Sequence, residues 1–215
     1  MCNRYQNKAM AAEVADHFRV QPVNVASFNV PAEIYPKYPG MVVRAEGGVR
    51  HLEAMTWGFP RHAVSKKTGK PLKPTPVNNA RDDRLLQQGW PWKESFERRR
   101  CLIPLTAWAE AEGPAGAMTC TWYSLPDAEV FAVGGIWRPS DEWGNVYSMV
   151  MVDGCAQMSQ VHDRMPVILR PDRYDQWMDG SVDDALQLVR TCGDPLAVDR
   201  TRDLWSQRDS TPTLL

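Results

Sequence analysis

The 215-residue sequence has no CxxC pair, only four histidines, and an odd set of cysteines at Cys2, Cys101, Cys120, Cys155 and Cys192. That pattern fits neither a disulfide framework nor a zinc site, so reduced thiols in the cytoplasm are expected, with no metal and no cofactor. Long apolar runs are missing too. The longest, residues 130–137 and 147–152, fall far short of the roughly 20 residues that span a bilayer, so no membrane partner is expected. The first residues carry neither the apolar run nor the small-residue cleavage site of a secretory signal. Neither sign of charge dominates: 25 Lys and Arg stand against 26 Asp and Glu, a formal net charge of -1. Any nucleic-acid site must therefore be a local patch rather than a global basic field. There is no internal repeat, no low-complexity tract, no Gly-rich phosphate loop and no convincing linker. A single domain over residues 1–215 is expected, with the last twenty or so residues as a peripheral tail. Nothing suggests an obligate protein partner, so a monomer is expected.

What is present is an ordinary globular mixture, 43% hydrophobic and 24% charged, with nine tryptophans. Met10, Val14 and Phe18 recur every four residues and predict a short amphipathic helix over residues 8–19. Residues 41–57 read as a hairpin around Gly47-Gly48. Residues 61–73 carry five Lys and Arg with no acidic residue and read as a long basic surface loop. Residues 101–110 and 119–125 read as two strands, 130–137 and 145–152 as buried strands, and 166–169 as a short extended run. Residues 172–178 and 182–189 look helical, and the last twenty residues give no clear signal. Strands in the middle with helices at both ends predict an α+β fold.

Several residues could carry chemistry. With Met1 removed, Cys2 would present a free α-amine beside its thiol, and that amine, with a reference pKa near 8, is partly neutral and nucleophilic at physiological pH. It can form a Schiff base with an aldehyde, and the thiol can then close a five-membered thiazolidine. Alternatively Cys2 is an incidental residue at a chain terminus. Asn79-Ala80-Arg81 offers an amide to orient a substrate oxygen and a guanidinium for a phosphate, or it is a turn before a helix containing residues 81–84. Glu110, between Ala109 and Ala111, either faces outward or is a buried carboxyl with a raised pKa suited to proton transfer. His162 can shuttle a proton near neutral pH or serve a structural role. Arg98-Arg99-Arg100 reads as a phosphate patch or a solvated face, and the nine tryptophans as mostly core, with Trp57, Trp90 and Trp92 as base-stacking candidates if exposed.

Taken as an ordered set, Met1-Cys2-x-Arg4-Tyr5, Phe28-Asn29-Val30-Pro31, Trp57-Gly58, Asn79-Ala80-Arg81, Arg99-Arg100-Cys101-Leu-Ile-Pro104, Glu110 and the run His162-Asp-Arg-Met-Pro-Val-Ile-Leu169 resemble the SOS response-associated peptidase (SRAP) family of abasic-site processing proteins. The likeness runs to about residue 180. It implies an α+β domain with an antiparallel, barrel-like sheet core flanked by helices. It also implies an enzyme that senses abasic sites in single-stranded DNA and crosslinks to them through the mature N-terminal cysteine. By this resemblance Cys2 is the nucleophile, Asn79 orients the sugar or amine, Glu110 relays protons, and His162 assists proton transfer and reversal of the link. Arg4, Arg81 and Arg164 would hold the flanking phosphates. The same Cys2, Asn79, Glu110 and His162 would remove Met1 by autoproteolysis. The chain departs from the family in three places. Asn3 replaces Gly, Trp108-Ala109-Glu110-Ala111 replaces Phe/Tyr-Tyr-Glu-Trp, and Gly58-Phe-Pro-Arg-His-Ala63 replaces Gly-Leu-Ile-Pro-Ser-Trp. Two other functions remain open: a cysteine peptidase acting on other proteins, and a non-catalytic single-stranded DNA-binding module.

Overall fold

The structure, a computed structural model, describes residues 2–22 and 29–205. Phe28 of the 28–31 motif and residues 206–215 of the expected tail lie outside that range. In chain order the strands of the first half are β1 (Arg4–Gln6), β2 (Gln21–Pro22), β3 (Glu33–Ile34), β4 (Pro39–Glu46), β5 (Val49–Trp57), β6 (Phe59–Arg61), β7 (Thr75–Val77) and β8 (Asn79–Arg81). The second half adds β9 (Arg100–Leu105), β10 (Ala107–Glu112), β11 (Thr119–Ser124), β12 (Phe131–Ser140), β13 (Gly144–Asp153), β14 (Arg164–Pro166), β15 (Ile168–Leu169) and β16 (Ala197–Leu204). The helices are short: α1 (Ala11–His17), α2 (Lys93–Arg98), α3 (Tyr174–Met178) and α4 (Val182–Leu186).

The larger sheet closes on itself. β13, β12, β9, β4 and β5 pair in that order, and β5 returns to β13 through the parallel pairs Thr56↔Val146 and Trp57↔Tyr147. The closing seam is short and parallel while the other four are antiparallel, so the core is a ring of strands rather than a true barrel. The β4–β5 hairpin turns through Gly47 and Gly48, both at positive φ (59° and 79°), the geometry of a two-residue primed turn. A second sheet runs β16-β11-β10-β1-β3. The fold is thus mainly β with few helices, and strands reach both ends of the described chain instead of clustering in the middle.

The apolar run over residues 101–110 divides at Thr106 into β9 of the ring and β10 of the second sheet. At that crossing the Thr106 backbone N–H and Oγ1 both donate to Gln6 O, at 2.8 and 3.2 Å. Ala197–Leu204, where the sequence shows no signal, pairs along β11. Arg100 is buried and donates to the carbonyls of Trp177, Phe96 and Gly180, while Arg99 pairs with Glu94, so these two arginines serve packing and an ion pair rather than a phosphate patch. In α1, Val14 is buried and the Phe18 ring just beyond stacks on Tyr174, whereas Met10 stands exposed at the helix entry. The basic loop of residues 61–73 joins β6 to β7 of a hairpin, and β8 follows β7 one residue later.

The N-terminal strand is fastened to the ring by aromatic packing. Tyr5 meets Trp57 edge-on at 4.9 Å, Trp57 stacks on Tyr147 at 6.4 Å, and the hydroxyls of Tyr5 and Tyr147 hydrogen-bond to each other. Gly40 makes room for that pair, because a Cβ there would lie 2.0 Å from Tyr147 Oη and 2.1 Å from Tyr5 Oη. Overpacking of such a site costs about 1–3 kcal/mol. Gly40→Ala is therefore expected to lower the urea midpoint by a corresponding amount with the slope of the transition unchanged; an unaltered midpoint would show that the tyrosine pair is not confined.

Candidate active site

β8 runs parallel to β13 in the register Met149↔Asn79 and Met151↔Arg81, so the three-residue strand rides on the ring wall. The expectation of a turn before a helix is corrected here: Asn79-Ala80-Arg81 is a strand, followed by a 3-10 turn over Asp82–Arg84. From this strand Asn79 Nδ2 donates to Cys2 O at 2.7 Å. Asn78, just before it, donates to the same carbonyl at 2.9 Å and to Asn3 Oδ1 at 3.0 Å. The Asn78 carbonyl in turn accepts from Trp57 Nε1 at 3.0 Å and from the Met149 N–H at 2.9 Å. The main chain at Cys2 is thereby tied through β8 and Trp57 to the ring. Asn79 Oδ1 is buried and has no hydrogen-bond partner among the described residues.

Cys2 is fully buried, and its thiol faces Arg4 O at 3.4 Å. Burial, and secondly the charge of Glu110, push its pKa well above that of a free thiol, so the sulfur is held as S–H. Glu110 lies on β10 opposite Thr121 and is 2% exposed. Alternation alone leaves its direction open between two alanines; in the structure it faces inward, and burial pushes its carboxyl up to about 7. His162 precedes β14, with its backbone N–H bonded to Met158 O at 2.9 Å. Its Nδ1 accepts from the Arg164 N–H at 2.9 Å, which leaves the proton of the neutral ring on Nε2, 3.8 Å from Glu110 Oε2. Partial burial lowers the His162 pKa and favours that neutral ring. Asp163 Oδ1 approaches Nδ1 at 3.3 Å, but Nδ1 cannot donate to it while accepting from Arg164.

The structure thus brings Cys2 and Asn79 together directly, and Glu110 and His162 together within one ion-pair distance. The three arginines are each already engaged. Arg4 is buried, gives Nε and Nη2 to Glu33 Oε2 at 3.0 and 2.6 Å, and lies over the rings of Tyr35 and Trp122. Arg81, partly exposed, forms a two-pronged pair with Asp83 at 2.9 Å, and Arg164 meets Asp82 at 2.6 Å. Of the stacking candidates, Trp57 and Trp92 are core residues, buried against the ring and Phe59 respectively, while Trp90 is 39% exposed with Arg84 over its ring. Asn78 escapes a sequence reading, because a second asparagine beside Asn79 looks like ordinary turn composition. No group of three or more His, Cys, Asp or Glu that could hold a metal occurs among the described residues.

A raised carboxyl pKa has a definite sign in stability. Glu110 binds its proton more tightly in the folded chain, about 7 against 4.5, so its favourable contribution is complete below about pH 4.5 and is lost as pH rises through 7. Relative to Glu110→Gln, the wild-type protein should lose stability over that window, on the order of 1 kcal/mol per unit of pKa difference, and run parallel to the variant above it. Parallel curves at every pH would mean that the carboxyl keeps an ordinary pKa.

Comparison with known proteins agrees with this architecture. Two crystal structures share the fold: a protein from Bacteroides thetaiotaomicron with a TM-score of 0.74 at 16% identity, covering 93% of this chain and 91% of that one, and one from Bordetella bronchiseptica with a TM-score of 0.74 at 22% identity, covering 93% and 99%. Among characterised sequences, the abasic site processing protein YobE of Bacillus subtilis is 24% identical over 198 residues, 83% of this chain and 82% of YobE. The abasic site processing protein YMR114C of Saccharomyces cerevisiae is 24% identical over 158 residues, 72% of this chain, and the matched part spans 40% of the yeast protein. The family model described as SOS response associated peptidase (SRAP) matches residues 1–202. With a match over nearly its whole length, the chain belongs to the SRAP family.

Proposed function

We propose that this protein captures abasic sites in single-stranded DNA covalently, through Cys2 once Met1 has been removed. The observation that carries the reading is the double amide grip of Asn78 and Asn79 on the Cys2 carbonyl. It holds residue 2 by its main chain and leaves both its amine and its thiol for chemistry. The abasic-site activity in the names of YobE and YMR114C supports the same substrate.

In this reading the neutral α-amine attacks C1′ of the ring-opened deoxyribose and gives a carbinolamine. Glu110, able to hold or release a proton near neutral pH, protonates the departing hydroxyl, and water leaves to form the imine. The Cys2 sulfur then adds to the imine carbon while its proton passes to nitrogen, closing the thiazolidine with the net loss of one water. Asn79 Oδ1 accepts from the amine during attack. His162, neutral and with Nε2–H toward Glu110, exchanges protons with the carboxyl and assists both formation and reversal. Autoproteolytic removal of Met1 would draw on the same groups. A protein-cleaving cysteine peptidase needs a thiolate ready beside an imidazolium. Here burial keeps the thiol protonated and the imidazole neutral, which favours the amine-first route.

Arg4, Arg81 and Arg164 hold the phosphates around the lesion, the last two by exchanging Asp83 and Asp82 for phosphate oxygens. Three phosphate contacts on a single strand predict a slope of about -2 for the logarithm of affinity against the logarithm of salt concentration. A slope near zero in a fluorescence titration would remove the arginines from DNA binding. The central test is intact mass after incubation with a single-stranded oligonucleotide carrying one abasic site. The expected product is protein lacking Met1 plus DNA less one water, absent with undamaged DNA and absent for Cys2→Ala. A persistent adduct in Cys2→Ala would overturn the thiazolidine.

A further inference from the structure

Next to Cys2 lies a cavity of about 410 Å³ that the crosslinking chemistry does not use. Its walls are the rings of Tyr35, Pro36, Pro76 and Trp205, and its polar edge is formed by Asn3 and Asn78. Its link to the reacting residue is direct, since Asn78 Nδ2 donates both to Cys2 O and to Asn3 Oδ1. We propose that this cavity receives the base of a nucleotide neighbouring the abasic site, stacked on Trp205 and read along its edge by the Asn3 amide. The inference rests on the reading of Cys2 as the residue that captures the lesion.

Four observations carry it. The volume falls within the roughly 300–1,000 Å³ of small-ligand sites. The lining combines two aromatic residues and two prolines with amide groups, and a nucleobase is the matching ligand, a π-face with donors and acceptors at its rim. The site is prepared before binding. The Trp205 main chain is anchored by its backbone N–H to Met118 O at 2.9 Å and its side chain packs against the cluster of Ala107, Ala109, Cys120 and Trp122, while Tyr35 is fixed by its hydroxyl on Glu33 at 3.0 Å. Rings held in this way lose little freedom when a base docks. Finally, Asn3 Oδ1 is engaged by Asn78, while no hydrogen bond is formed by Asn3 Nδ2 among the described residues, which leaves a donor at the cavity edge. Arg4 also borders the cavity with its guanidinium paired to Glu33, so the open donor at the cavity edge is the Asn3 amide. The lesion itself has no base, so any sequence preference must come from its neighbours, and this cavity is joined to Cys2 through Asn3 and Asn78.

The test uses the full chain and single-stranded abasic oligonucleotides with the fluorescent base 2-aminopurine immediately 5′ or 3′ of the lesion, reading emission and crosslink yield in the same samples. Stacking should quench emission from one of the two positions. Trp205→Ala should relieve that quenching and raise the DNA concentration for half-maximal crosslinking roughly tenfold. Trp205→Phe, which keeps a ring and the packing on β11, should restore most of both. Asn3→Gly should flatten the dependence of crosslinking on the identity of the neighbouring base. Efficient crosslinking by wild-type protein with emission identical in Trp205→Ala would overturn the base subsite while leaving the Cys2 chemistry intact. Loss of both crosslinking and binding in the wild type would instead overturn the Cys2 reading, and the subsite with it.

Discussion

The carbonyl oxygen of Cys2 accepts from two adjacent asparagine amides, and the geometry of the site follows from that anchorage. In the proposed reaction Cys2 has to be restrained, and its amine and thiol have to stay reactive. Holding it by the carbonyl solves both problems. The grip is only as rigid as the strand that supplies it, and β8 lies parallel on β13, the strand through which the ring closes. Trp57, at the closing seam, donates to the Asn78 carbonyl and stacks on Tyr147, while Tyr5 of the N-terminal strand reaches into the same aromatic group. The closing of the ring and the placing of Cys2 are therefore one packing event.

One cause also accounts for the electrostatics. Burial opposes charge on whichever group it covers, so it raises the Cys2 thiol and the Glu110 carboxyl and lowers the His162 imidazole. The thiol and the imidazole are thereby neutral near physiological pH, and the carboxyl, at about 7, is divided between its two forms. A site built of neutral acids and bases suits condensation of an amine with an aldehyde, in which protons move at every step and no lasting charge develops. It suits poorly a mechanism that begins from a stored thiolate.

Parts of this were legible in the sequence and parts were not. Gly47-Gly48 marks the β4–β5 hairpin because two consecutive positive φ values are needed there, and the apolar runs of β12 and β13 mark strands buried on both faces. The ordered motifs around Cys2, Asn79, Glu110 and His162 point to one family. The inward direction of Glu110 was not readable, since alanines on both sides give alternation nothing to discriminate. β8 is too short to show a period and takes its conformation from β13. β16 reads as a polar tail because its hydrogen bonds to β11, not an apolar face, hold it in place. The tryptophans read mostly as core, but only the fold shows that Trp57 and Trp92 are enclosed while Trp90 is not.

The polar character of β16 has a further meaning. Ring closure removes two strand edges altogether, and two of the strands that end the described sheets, β2 and β14, are only two or three residues long. The long exposed edge belongs to β16, and it carries Asp199, Arg200, Arg202 and Asp203. Charges of both signs along an open ladder discourage a second molecule from adding its own strand. At high concentration this border lets copies of the chain sit close without zipping into one another.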